Sequence, residues 1–170
     1  MKTENRQYDI EKSLESLLNM PVLLTVRLPH HSPLLATDRL SLTAEERSKS
    51  RHPYTTDGGQ EVYLQLQRGT HLHQGDRLQA ADESLIIEIL AKPEQVMVVS
   101  APQPLDLLQA AYHLGNRHVP LEITDDHLYL LPDAVLQDML LQRGLTVEKA
   151  DQPFQPQAGA YETTAHHHHH

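Results

Sequence analysis

The chain is 170 residues long, enough for one ordinary domain or two small ones with a buried core and no covalent staples. It has no cysteine, which excludes disulfides, thiolate zinc sites, iron–sulfur clusters and cysteine nucleophiles, and leaves imidazole from its 13 histidines as the strong borderline metal ligand. A formal net charge of -9 argues against a nucleic-acid partner, which needs a basic surface, and 4% aromatic content without tryptophan leaves no stacking platform for a single strand.

Residues 1 to 20 read as a polar N-terminal extension, in which Ile10, Leu14, Leu17 and Leu18 fall at roughly helical spacing. The start, Met1-Lys2-Thr3-Glu4-Asn5-Arg6, lacks the basic stretch followed by an uninterrupted apolar core that a secretory signal needs. The apolar patch from Leu14 to Leu28 is interrupted by Glu15, Asn19, Pro21 and Arg27 and cannot span a bilayer, so a cytoplasmic location without a membrane partner is expected. Val22, Leu24, Val26 and Leu28 alternate with Leu23, Thr25 and Arg27, the period of a half-buried strand, which Pro29 ends. Pro29 to Lys49 reads as a polar, proline-punctuated connection. Asp57-Gly58-Gly59 is a turn signal, Val62, Leu64 and Leu66 alternate as a second strand, Gly69 and Gly75-Asp76 mark further turns, and Leu85 to Leu90 is a buried strand. Residues 21–91 are therefore expected to form a small β-rich domain, followed by Ala91-Lys92-Pro93-Glu94 as a short charged linker.

The remainder alternates differently. Val96 to Val99 is a short apolar strand, and Pro102 and Pro104 bracket the entry of a helix that carries Leu105, Leu108, Ala111 and Tyr112 on one face and stops at Gly115-Asn116. Leu121 to Ile123 and Leu128 to Leu131 read as strands around the turn Thr124-Asp125-Asp126. Pro132 opens a second helix with Val135, Leu136, Met139 and Leu140 on one side, Arg143 near its negative end and Gly144 as its stop, before a last strand at Leu145-Thr146-Val147. Strand, helix, strand, strand, helix, strand over residues 94–161 is the ferredoxin-like βαββαβ pattern, so the chain as a whole is expected to be α+β. Such a scaffold does not itself specify a function.

The run Tyr112-His113-Leu114-Gly115-Asn116-Arg117-His118-Val119-Pro120 closes an apolar helix with a glycine break and sets an imidazole just beyond it. It closely resembles the signature of the urease accessory protein E family of nickel metallochaperones. Val135-Leu136-Gln137-Asp138-Met139-Leu140-Leu141-Gln142-Arg143-Gly144-Leu145-Thr146-Val147 and Pro153-Phe154-Gln155-Pro156-Gln157-Ala158-Gly159-Ala160-Tyr161 support it, as does the weaker Leu66-Gln67-Arg68-Gly69-Thr70 with Gly75-Asp76. The resemblance covers most of residues 60 to 161. It implies an N-terminal β domain, a metal-binding domain that forms a homodimer, and His118 of each chain sharing one Ni2+ across the two-fold axis. It also implies a non-enzymatic carrier that passes nickel to the urease apoprotein together with the GTPase known as urease accessory protein G. Copper or zinc would compete for the same nitrogen ligands, because the Irving–Williams order does not favour nickel over them. Asn116 is expected to take the left-handed geometry after the helix, and Arg117 to pair with an acidic residue or shape the dimer surface.

The other histidines carry less. His113 lies five residues before His118, about 140° round a helix axis, and reads as structural. His71 and His73 stand at strand spacing but between Gly69 and Gly75, where solvated loop residues are the simpler reading; His30-His31 and His52 are similar. Some members of the family carry an extra histidine pair after the second strand, where this chain has Leu130-Leu131-Pro132-Asp133-Ala134, so the peripheral site is in doubt and His127 could replace it only in part. The flexible tail, residues 162–170, ends in His166, His167, His168, His169 and His170, which reads either as a native metal-binding tail or as an added tag. No His-Glu-x-x-His, nucleophile elbow or phosphate loop is present, and Glu122 and Asp125 read as surface charges, so no enzyme is expected. The rival reading is a storage or interaction protein that holds nickel, copper or zinc without delivering it.

Overall fold

The computed structural model describes residues 20–157. The polar extension, apart from Met20, lies outside the described residues, as do residues 158–161 and the tail with His166–His170. The described chain is α+β and divides after Leu90 into two compact units.

The first unit is a six-stranded sheet with β1 (Val22–Arg27), β2 (Asp38–Leu42), β3 (Arg51–Thr55), β4 (Glu61–Gln65), β5 (Arg77–Ala80) and β6 (Ile86–Ala91) in the spatial order β2-β6-β5-β1-β4-β3. The alternations expected of the first and second strands are those of β1 and β4, which run parallel with Leu24 opposite Leu64. Inward residues of the strands meet in one apolar core, with Leu24, Leu40, Val62, Leu64, Leu78 and Ile87 fully or almost fully buried and Tyr54 of the edge strand β3 packed against it.

The proline-punctuated connection expected over Pro29 to Lys49 is not one. It contains β2, whose Leu40 and Leu42 enter the core, and the short helix α1 (Ala44–Arg47). Thr43 caps α1 reciprocally: its hydroxyl accepts from the Glu46 N–H at 3.3 Å, and its own N–H donates to Glu46 Oε2 at 2.8 Å. Two strands carry weak patterns. β3 contains Pro53 and is largely exposed, which an edge strand tolerates, while β5 is only four residues long.

The turn between β3 and β4 depends on Gly58. Its N–H donates to Asp38 Oδ1 at 3.1 Å, and a Cβ there would stand 2.7 Å from Asp38 Oδ2. The same carboxylate accepts from the Thr56 hydroxyl, the main reason its pKa lies below the ordinary value. Gly58→Ala is therefore expected to destabilise the first unit by about 1–3 kcal/mol, the usual cost of overpacking, read as a lowered midpoint in urea unfolding.

The second unit contains β7 (Pro93–Ser100), helix α2 (Pro104–Gly115), β8 (Glu122–Ile123), β9 (Leu128–Leu130), helix α3 (Ala134–Gln142) and β10 (Thr146–Pro153). Its four strands lie in the order β10-β7-β9-β8, each antiparallel to its neighbour. The expected charged linker is instead strand: Ala91 ends β6, Pro93 begins β7, and only Lys92 lies between. Pro93 is tolerated because the first residue of a strand can forgo its N–H, and it faces Pro153 at the far end of β10. Met97, Val99, Leu128 and Leu130 on the sheet pack with Leu107, Ala110 and Leu114 of α2 and Leu140 of α3 in a second core.

The helices begin as their residues dictate. Pro104 opens α2, where a missing N–H costs nothing, and the Asp133 carboxylate caps α3 by accepting from the Leu136 N–H at 2.9 Å. The expected inner faces differ from the observed ones. On α2 the buried residues are Leu107, Ala110 and Leu114, whereas Leu105, Leu108 and Tyr112 are 62%, 68% and 68% exposed. At 100° per residue the two sets lie on opposite sides of the helix, so α2 is apolar on both. On α3, Leu140 is buried and Leu136 and Met139 half-buried as expected, but Val135 points to solvent.

Candidate metal centre

His118 stands at the end of α2, exposed, with a backbone φ of 56°. Positive φ puts the Cβ of an L-residue against its own backbone at a cost of about 1–2 kcal/mol, and glycine is the usual occupant of such a position. The expected left-handed residue, Asn116, is ordinary right-handed helix at φ −63°, so the strained position is two residues further on, at the histidine itself.

The hydrogen bonds explain why. The Val119 N–H reaches back to the Leu114 oxygen at 3.2 Å and the His118 N–H to the Gly115 oxygen at 2.9 Å, the paired bonds of a Schellman cap. Half-buried Val119 packs against the core that contains Leu114, which supplies the apolar contact such caps usually have. Helix α3 ends in the same way. Leu145 N–H bonds to the Leu140 oxygen at 3.2 Å and Gly144 N–H to the Leu141 oxygen at 2.9 Å, with Gly144 at φ 80°. The two helix ends share a sequence frame, Leu114-x-x-Arg117-His118-Val119 and Leu140-x-x-Arg143-Gly144-Leu145. One places glycine in the left-handed position and the other places an imidazole there.

Among the described residues Arg117 pairs with no acid, yet it does not stand free. In a continuing helix its N–H would bond to the His113 oxygen, but the cap diverts it to Leu114 at 3.0 Å, and its own guanidinium Nη1 donates to the vacated His113 oxygen at 2.8 Å. His113 is half-buried, its ring edge-on to Tyr112 with centroids 5.6 Å apart, in keeping with a structural role.

The remaining histidines are dispersed. His127 Nδ1 lies 2.8 Å from Asp126 Oδ1 in the β8–β9 turn; that hydrogen bond is the chief reason the Asp126 carboxyl sits below its ordinary pKa. In the first unit, Asp76 is buried and paired with Arg27 at 2.8 Å, and it accepts the His73 N–H at 2.7 Å. Burial lowers the His73 pKa, outweighing the opposite pull of Asp76. His30, His31, His52 and His71 are exposed. Among the described residues no group of three or more His, Asp or Glu side chains is placed to hold a metal ion.

Comparison with known proteins adds a decisive observation. Residues 24–92 match the family described as UreE urease accessory protein, N-terminal domain, and residues 94–170 match UreE urease accessory protein, C-terminal domain. The chain belongs to the UreE urease accessory family. It is 51% identical over 142 residues to the urease accessory protein UreE of Nostoc punctiforme, covering 84% of this chain and 95% of that one. The corresponding protein of Thermosynechococcus vestitus is 56% identical over 122 residues, 72% and 85% of the two chains, and that of Pseudomonas putida 44% over 147 residues, 86% and 89%. The family is one of accessory proteins and not of enzymes, as the lack of a catalytic motif led one to expect. No helix among the described residues is long and apolar enough to cross a membrane.

Proposed function

We propose that this chain is a nickel carrier for urease assembly, in which two copies pair through the second unit and His118 of each contributes one imidazole to a shared Ni2+. The observation that carries the reading is the occupancy of the left-handed cap position. Two non-glycine residues among the described residues have positive φ, Glu83 in the β5–β6 turn and His118. Of these only His118 carries an imidazole, in a place that glycine fills in α3, and strain retained there at an energetic cost points to a use for that ring. One imidazole is a weak hold on a divalent ion, and isologous two-fold symmetry supplies a second from the same sequence. The exposed stripe Leu105, Leu108 and Tyr112 lies on the helix that ends at His118 and is suited to the contact between copies. The strand order β10-β7-β9-β8 supports reading the second unit as ferredoxin-like.

His166–His170 would add further imidazoles that gather nickel, and copper or zinc would compete in vitro. Membership of a urease accessory family supports a role in urease maturation in the cytoplasm, with the cargo passed to the urease apoprotein together with urease accessory protein G. A site of few ligands at an exposed helix end suits a protein that must release what it binds.

The test is a nickel titration of the full chain with His166–His170 replaced by alanine, to remove the competing tail. His118→Ala in that background is expected to abolish tight binding, and the parent is expected to bind tightly at pH 7.5 and poorly at pH 5, because an imidazole must be unprotonated to bind metal. Equal affinity in the presence and absence of His118 would refute the proposal.

A further inference from the structure

We propose that Arg117 is a positioning residue for metal capture, a latch that holds the His118 backbone in its left-handed conformation; the inference rests on reading His118 as the nickel ligand.

Two sets of forces act on the end of α2. The Cβ of His118 resists a φ of 56°, while the cap bonds from Val119 to Leu114 and from His118 to Gly115 hold it there. Closing the cap has a side effect. It takes the Arg117 N–H away from the His113 oxygen and leaves that carbonyl at the negative end of the helix without its backbone donor. The guanidinium of the same residue fills the gap at 2.8 Å, so in the capped shape the carbonyl that lost its backbone donor regains one from the side chain. It is charge-assisted, which makes it stronger than the neutral bond it replaces.

Gly144 provides an internal comparison. At the end of α3 the same backbone bonds form around a glycine that accepts positive φ freely, and the arginine in the matching place, Arg143, contributes its N–H to the Leu140 oxygen at 3.1 Å and needs no latch. Where histidine takes the left-handed place, additional stabilisation is present. Metal capture depends on the fraction of chains whose imidazole is already placed, since apparent affinity scales with the population of the binding-competent form. Loss of the latch shifts that population towards relaxed backbones that aim the ring elsewhere.

The experiment uses the full chain with His166–His170 changed to alanine and compares it with Arg117→Ala, Arg117→Lys and His118→Ala added singly. Nickel affinity is read by calorimetry, the φ at residue 118 by its amide scalar coupling, and the oligomeric state by native mass. Arg117→Ala is expected to weaken nickel binding measurably, by up to about fivefold per chain, the full weight of one hydrogen bond, with the coupling moved away from its left-handed value and the oligomeric state unchanged. Arg117→Lys, which keeps a cation able to reach the carbonyl, is expected to restore most of the affinity. Unchanged affinity in Arg117→Ala alongside its loss in His118→Ala would overturn the latch and leave the ligand standing. Loss of affinity accompanied by dissociation into single chains would assign Arg117 to the contact between copies and would also overturn it. Unchanged affinity in His118→Ala would remove both.

Discussion

His118→Gly is expected to make the metal-free protein more stable while destroying the proposed nickel site. Substitution normally costs both function and stability, so opposite signs at one position are diagnostic. The φ of 56° costs an L-residue about 1–2 kcal/mol that glycine does not incur. Glycine also loosens the unfolded chain, which returns about 0.4–1 kcal/mol of that gain. The net expectation is stabilisation of about 0.5–1 kcal/mol, a rise on the order of 2–8 °C in the melting temperature of a unit this size. His118→Ala is the control: it also loses the imidazole but keeps the Cβ, and gains nothing. Added nickel should reverse the order, because a ligand at 100 times its dissociation constant stabilises the parent by about 2.7 kcal/mol and leaves the glycine variant unmoved. In a background without the tail histidines, scanning fluorimetry should thus show the two melting curves cross when nickel is added. Equal melting temperatures for glycine and alanine variants would mean that the strain at the left-handed position does not exceed the roughly 0.4–1 kcal/mol that glycine loses through the unfolded chain, too little to single out His118.

How far this site was legible in the residues follows from the same cap. Gly115-Asn116 announced a helix stop and His118 an imidazole beyond it, because breaking residues and ligand types are visible one at a time. Which residue turns left-handed was not visible from them, and Asn116 looked the better candidate on intrinsic tolerance. The cap places its turn by hydrogen-bond register, two residues later. The signal was in the sequence only as a comparison of Leu-x-x-Arg-His-Val with Leu-x-x-Arg-Gly-Leu, in which the glycine names the position that the histidine occupies. Arg117's partner was hidden for a related reason: a backbone oxygen freed by a cap has no residue type to advertise it. The same logic divides the fold. β1, β4 and β6 alternate or run apolar because the core selects their side chains, whereas β3 answers mainly to backbone pairing at a sheet edge and may carry Pro53 and a polar surface without penalty. β2 was readable through Leu40 and Leu42, and α1 through Thr43 and Glu46, yet the neighbouring prolines and polar residues masked both. For α2, two apolar stripes made periodicity ambiguous, and the stripe with Tyr112 proved to be the outer one.

That outer stripe supports the second large effect: if two copies pair as proposed, Leu108→Asp is expected to separate them without unfolding either. Leu108 is 68% exposed in the single chain, so a carboxylate there is solvated and costs the isolated fold little. Between two copies the position is different. Symmetry places each substitution on both chains, so assembly would bury two unpaired carboxylates and bring like charges together near the axis. Juxtaposition of that kind costs several kcal/mol, and about 4 kcal/mol corresponds to roughly a thousandfold weaker association. Sedimentation should find Leu108→Asp as single chains at concentrations where the parent is paired, with unchanged circular dichroism. Leu35→Asp, at an 80% exposed leucine of the first unit, provides the matching control and should leave pairing intact. Nickel affinity should fall with Leu108→Asp although no ligand has been touched, since each separated chain retains one His118 imidazole instead of two. Pairing that survives Leu108→Asp would place the contact elsewhere on the second unit, and a nickel affinity that survives separation would show that one chain alone completes the site.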